Sequence, residues 1–235
     1  MKFRDLRRKI IADYAVLPFI FCGMGLILAY GATRLVNHAL RGLPETYLDV
    51  TSEWDMFIPV IPAWTVVYFL SYIFWILAYL RISKESKTMS NRLLVADIFG
   101  KIVCMAVFLI VPTTTVRPAV PDDMFLSPLL ELLYFLDSPD NLFPSMHCST
   151  SWFASRYLQR CETVSNKIKV LGWVSTGLVF LSVLFTKQHV IIDIIGGVVV
   201  AETCAIISDK SHLYKIYDKL DIVGRYYDIK VKEKQ

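Results

Sequence analysis

The chain has 235 residues, 55% of them hydrophobic and 20% charged, with a mean hydropathy of +0.48. That is too apolar for an ordinary soluble domain, and long apolar runs set aside the one or two soluble domains that length alone would allow. A net charge of +4 fits basic helix ends better than a nucleic-acid surface, and none of the five cysteines falls in a disulfide framework or a zinc-ligand spacing.

The N-terminal MKFRDLRRKI leads into AVLPFIFCGMGLILAY. The layout imitates a secretory leader, but its apolar core exceeds the about 7–15 residues such a leader carries. A retained first span is therefore expected over about 13–31. The loop after it holds Glu45, Asp49, Glu53 and Asp55, and residues 48–61 (LDVTSEWDMFIPVI) have the pattern of a short amphipathic helix at an interface, with Trp54 as an anchor. A second span is expected over 62–80, followed by Arg81, Lys84, Lys87 and Arg92, then a third over 93–112. Next come PTTTVRP, the acids Asp122, Asp123, Glu131, Asp137 and Asp140, and a second amphipathic stretch over 123–136 with Phe125, Tyr134 and Phe135.

Two further apolar runs, 168–186 and 189–208, are plain spans. With five spans, His147 and His189 would face opposite sides of the membrane. A sixth, over 145–162, removes the conflict and ends in the basic stretch Arg156, Arg160, Lys167 and Lys169. It is polar, with Ser149, Thr150, Ser151 and Arg156, so it must lie inside the bundle. The expectation is an all-α, polytopic membrane protein: one integral domain over 1–235, six transmembrane helices and short amphipathic outer-face helices. Lys2, Arg4, Arg7, Arg8 and Lys9, and Lys210, Lys215, Lys219 and Arg225 in the tail, place both termini in the cytoplasm.

That layout puts PTTTVRP, FPSMHCS and TKQHVIID at one membrane level, facing away from the cytoplasm. His189 and Asp193 are one helical turn apart, so the carboxylate can hold the imidazole and fix its tautomer. His147 stands where a helix begins, with Ser145 and free backbone N–H groups that suit an anion. Arg117 and Lys187 add positive charge. Taken singly, the same residues read as a pinning pair, an interfacial histidine and snorkelling cations. A proton-relay transporter is a further alternative, and the nearby cations disfavour it.

RP, then PSMH, then HVIID resemble the three-part signature of the type 2 phosphatidic acid phosphatase superfamily, over about 80 residues from Pro112 to Asp193. The resemblance implies a metal-independent lipid phosphatase with no cofactor, acting on a lipid phosphomonoester or diphosphate within membrane lipids. It implies His189 as nucleophile, Asp193 as its orienting group and His147 as acid and then base, with Arg117, Ser145 and Lys187 holding phosphate. The alternative is a head-group transferase with an alcohol acceptor, as in the superfamily's sphingolipid head-group synthases. Two cations of the family pattern are missing, at Ile110 and Val183. Lys187 can replace one as a point charge, whereas Lys101 is expected to pair with Asp97 four residues earlier. Glu202, deeper in the last span, either bonds to another helix or lines a lipid path; His38, expected in an outer loop, and His212, in the tail, have no assigned role.

Overall fold

The computed structural model describes residues 13–43, 46–121 and 124–215. The cations at 2–9, Glu45, Asp122, Asp123, Lys219 and Arg225 lie outside the described residues. Among those described, four helices are long and apolar enough to cross a membrane. They are α4 (Trp64–Ser83), α5 (Lys87–Ile110), α8 (Asn166–Phe185) and α9 (Ile191–Lys210). Their outward side chains, such as Ile73, Leu77, Val170 and Val199, are exposed and apolar, as contact with lipid requires.

The helical path over the expected first span runs beyond 13–31. Helix α1 (Val16–Ile27) passes through one π-helical segment, Leu28–Ala32, straight into α2 (Thr33–Arg41). Gly31 keeps helical geometry, and Gly42, at φ 87°, turns the chain out of the helix. His38 therefore stands on α2 and not in a loop, with its Nε2 3.3 Å from the Asp140 carboxylate.

The first stretch expected at the outer face, 48–61, is not one helix. Leu48–Asp49 (β1) pairs in parallel with Thr113–Thr114 (β2), and only Glu53–Met56 (α3) is helical. The Ser52–Asp55 capping box opens α3, and Pro59 and Pro62 keep the chain from continuing it. The second stretch is helical from Ser127 to Leu136 (α6), with proline in its first turn.

Helix α7 (Met146–Arg160) occupies the expected fourth span with 15 residues. It packs against α4, α5, α8 and α9 and is buried along most of its length. Phe153, Ala154 and Tyr157 form the core with Ala78 and Ile82 of α4, Leu93 of α5 and Ala201 of α9. Several of its polar groups find partners on the neighbouring helices. Trp75 donates to Ser151 Oγ (2.8 Å), the Ser155 and Thr176 hydroxyls bond each other (2.7 Å), and Trp152 donates to Glu202 (2.8 Å). Arg156 bonds Glu202 at 3.0 Å and Asp209 at 2.8 Å, so Glu202 ties α9 to α7. Lys101 pairs with Asp97, whose other oxygen accepts from Tyr79 at 2.9 Å.

Arg156→Ala removes the cation that bridges two carboxylates of α9, leaving Glu202 with Trp152 and Asp209 with Arg160. Because the Glu202 side chain is 40% exposed, the expected cost is about 1–2 kcal/mol rather than that of a fully buried pair. Thermal unfolding of the purified protein in detergent should fall by roughly 4 °C, and an unchanged midpoint contradicts the bridging role.

Candidate active site

Helix α9 begins at a turn that its own backbone fixes. The N–H groups of Gln188 and His189 both bond Val183 O, each at 3.0 Å, and Lys187 adopts φ 53°, the left-handed region. Asp193, fully buried, accepts from Val190 N at 3.0 Å and from His189 Nδ1 at 3.1 Å. A carboxylate can only accept, so this contact puts the ring proton on Nδ1 and leaves Nε2 with its lone pair. No described residue bonds Nε2. The second Asp193 oxygen is also buried and has no partner among the described residues.

Helix α7 is brought to that turn by its entry segment. Thr113 Oγ1 accepts from Phe143 N (2.9 Å) and Thr114 donates to Pro139 O (2.6 Å), so the PTTT residues fix the chain that leads into α7. Ser145 caps the helix by accepting from Cys148 N at 3.2 Å, and its own N–H bonds Asp193 O at 3.0 Å. Ser145 is completely buried and already committed as a cap. Gly196 and Gly197 make this approach possible. A Cβ on Gly197 would stand 2.5 Å from Ser145 O.

The result is a pair of imidazoles from helices far apart in sequence, with ring centroids 5.7 Å apart. His147 leans on Tyr68 (4.6 Å between centroids) and Trp75 (5.4 Å), and its Nε2 is 3.3 Å from the Tyr72 hydroxyl. Its Nδ1 is buried without a partner among the described residues.

Arg117 sits against the same turn, but its donors are largely spent on protein oxygens. Nε bonds Lys187 O (3.3 Å), one terminal nitrogen bonds Asp137 O (2.5 Å), and the other bonds Gln188 Oε1 (2.6 Å). Its guanidinium lies 4.6 Å above the Tyr134 ring. Burial pushes the Arg117 pKa down, opposed by the nearby Asp137 carboxylate. Two of its five N–H donors remain for an anion. Lys187 points its ammonium at Asp55 O, 2.7 Å away, and burial lowers its pKa as well, opposed by Asp55.

Two residues join the site that sequence patterns did not single out. Asp55 on α3 accepts from Ile191 N, the first residue of α9, at 2.8 Å. Arg34 on α2 bonds Asp140 at 2.8 Å and Asp137 at 3.3 Å, and Asp137 also accepts from Tyr68 at 3.1 Å. Arg34 is the lone cation just past an apolar run that ends at the same level as Asp137, which is its one signal in the sequence. Two cavities of about 350 Å³ each flank the imidazoles: one is lined by His189, Lys187 and Asp55, the other by His147, Tyr72, Trp75 and Arg34.

No protein-family model matches the chain, and no curated protein or solved structure matches it significantly.

Proposed function

We propose that this protein is a membrane phosphoryl-transfer enzyme that hydrolyses a lipid phosphomonoester or diphosphate through phospho-His189. Its site opens at the non-cytoplasmic face, and both termini are cytoplasmic. The observation that carries this reading is the imidazole pair: His147 and His189, 5.7 Å apart, with His189 held by the buried Asp193 carboxylate.

Six membrane crossings follow if the helical path from α1 through α2 and the buried α7 are added to the four long helices. The starts of α7 and α9 then share one side. The opposite end of the bundle carries the Arg81, Glu85, Thr163 cluster and the Arg160–Asp209 pair, beside Lys84, Lys87, Arg92 and Lys167. That concentration of cations supports a cytoplasmic placement. At the site's end, Trp54, Phe57, Phe125 and Phe135 are all strongly exposed, and they suit the headgroup boundary.

In the reaction, His189 Nε2 attacks phosphorus as the bond from phosphorus to the lipid oxygen breaks, and protonated His147 gives its proton to that oxygen. Neutral His147 then takes a proton from water while the water oxygen attacks the phosphohistidine. The P–N bond breaks, phosphate leaves, and both imidazoles return to their starting states. Asp193 stabilises the charge that develops on His189, while Lys187 and the two remaining Arg117 donors meet phosphoryl oxygens. Ser145 contributes through the backbone it caps.

A second reading replaces water with an alcohol. What favours it is the cavity on the His147 side, whose 350 Å³ and aromatic walls of Tyr68, Tyr72 and Trp75 exceed what one water needs.

The deciding experiment incubates purified protein with phosphorus-labelled lipid monoesters, diphosphates and diesters, with and without candidate alcohols. Expected are vanadate-sensitive release of phosphate and an acid-labile, alkali-stable phosphoenzyme. Label passing to product only when an alcohol is present selects transfer. No turnover and no labelled protein across the whole panel overturns the reading.

A further inference from the structure

The N-terminus of α9 is where a phosphate would find free backbone N–H groups and a favourable helix dipole. That place is taken. The carboxylate of Asp55, 3% exposed, accepts from Ile191 N at 2.8 Å through one oxygen and from Ser52 N at 2.9 Å through the other. Its backbone carbonyl holds Lys187 Nζ at 2.7 Å. Asp55 thus grips the chain on both sides of His189 and places a carboxylate in the wall of the cavity where His189 stands.

We infer that Asp55 is a specificity-determining residue, an acidic group beside the nucleophile that disfavours a doubly charged phosphoryl group and admits a singly charged one, as in a singly protonated phosphomonoester or a phosphodiester. The inference rests on the phosphoryl-transfer reading and narrows its substrate. The formal charges around His189 support it: Arg117 and Lys187 are balanced by Asp55 and Asp193, which leaves the single positive charge of protonated His147, 5.7 Å from His189 between ring centroids. In the cavity wall itself, the charged residues among those described are Lys187 and Asp55. The positions where the resemblance would supply two more cations are apolar, Ile110 exposed outward and Val183 fully buried. A dianion entering this partly buried space leaves a negative charge uncompensated, and the low local dielectric makes that costly. A monoanion leaves less to offset.

The test measures binding of methyl phosphate and dimethyl phosphate to the purified full chain in detergent at pH 8, by protection against thermal unfolding. At that pH the first is mainly a dianion, its second pKa lying near about 6, and the second is a monoanion. Wild type should bind dimethyl phosphate at least as well as methyl phosphate. Asp55→Asn retains an oxygen for Ile191 N–H and should shift the ratio about tenfold toward methyl phosphate. Asp55→Ser, a shorter helix-capping side chain, should shift it the same way. A purely structural role would weaken both ligands together and leave the ratio fixed. An unchanged or oppositely shifted ratio in both variants, with lipid-phosphate turnover still dependent on His189, overturns this inference alone. Failure of wild type to bind dimethyl phosphate while lipid-phosphate turnover persists overturns this inference alone, whereas no turnover of any lipid phosphate overturns it together with the parent reading.

Discussion

His189→Gln is expected to lower lipid-phosphate turnover by at least about 10³-fold and to abolish the phosphoenzyme, because in the proposed roles His189 is the group that accepts the phosphoryl group. Glutamine is a better probe than alanine. It offers Asp193 an N–H, whereas alanine leaves the buried carboxylate with only the Val190 N–H, one of its oxygens being unpartnered already. His147→Ala should separate the two chemical steps. With the acid and base removed but the nucleophile intact, turnover should fall by about 10²–10⁴-fold. The phosphoenzyme should still form from a donor whose leaving group needs no protonation. Rapid-quench labelling with such an activated donor measures this directly. Normal turnover in both variants would end the assignment of roles. Loss of labelling in His147→Ala alone would exchange the two roles.

The second large effect comes from a residue with no side chain. In Gly197→Ala the new Cβ meets Ser145 O at 2.5 Å and Cys148 Cβ at 3.1 Å. The first is a backbone atom in the cap of α7 and cannot swing aside, so the starts of α7 and α9 must separate. Overpacking of this kind costs about 1–3 kcal/mol. The catalytic cost is larger, since a shift of about 1 Å between reacting groups is worth about 10²-fold in rate. Turnover should fall by about that factor while the unfolding midpoint drops by several degrees. Gly177→Ala serves as the control. Its Cβ would meet nothing within 4 Å, and alanine favours the helix, so activity should be unchanged. Full activity in Gly197→Ala would show that the approach of the two helices does not set the spacing of the imidazoles.

Several contacts are local enough for sequence to reveal. The His189–Asp193 and Asp97–Lys101 pairs follow from one helical turn, and the Ser145 cap follows from a hydroxyl placed before a helix. Apolar run lengths marked the four long helices, although their ends differ by a few residues, since charged termini such as Lys87 and Lys210 extend helices that hydropathy truncates. Burial of a polar α7 was also legible, because seryl and guanidinium groups cannot face lipid.

What periodicity could not supply is which of many loop acids and end-of-helix cations meet. Asp49, Glu53 and Asp55 are equivalent in composition, yet only Asp55 reaches Ile191, 136 residues away. Arg117 reads as a free cation in RP, yet folding commits it to carbonyls at Lys187 and Asp137 and to Gln188. The extension of α1 into α2 was hidden because the apolar run ends near Gly31, and tertiary contacts such as Asn37 to Phe108 O and Arg34 to Asp140 anchor the stretch beyond it. The sequence by itself determined that four helices are long and apolar enough to cross a membrane, where they lie, and the one-turn His–Asp pair, since each depends on composition or spacing within a single segment. The partners of Arg34, Asp55 and Arg117, and the meeting of the two imidazoles, were decided only by tertiary structure. Such contacts join segments of high sequence separation, and their geometry is set by helix packing, down to the missing Cβ of Gly197.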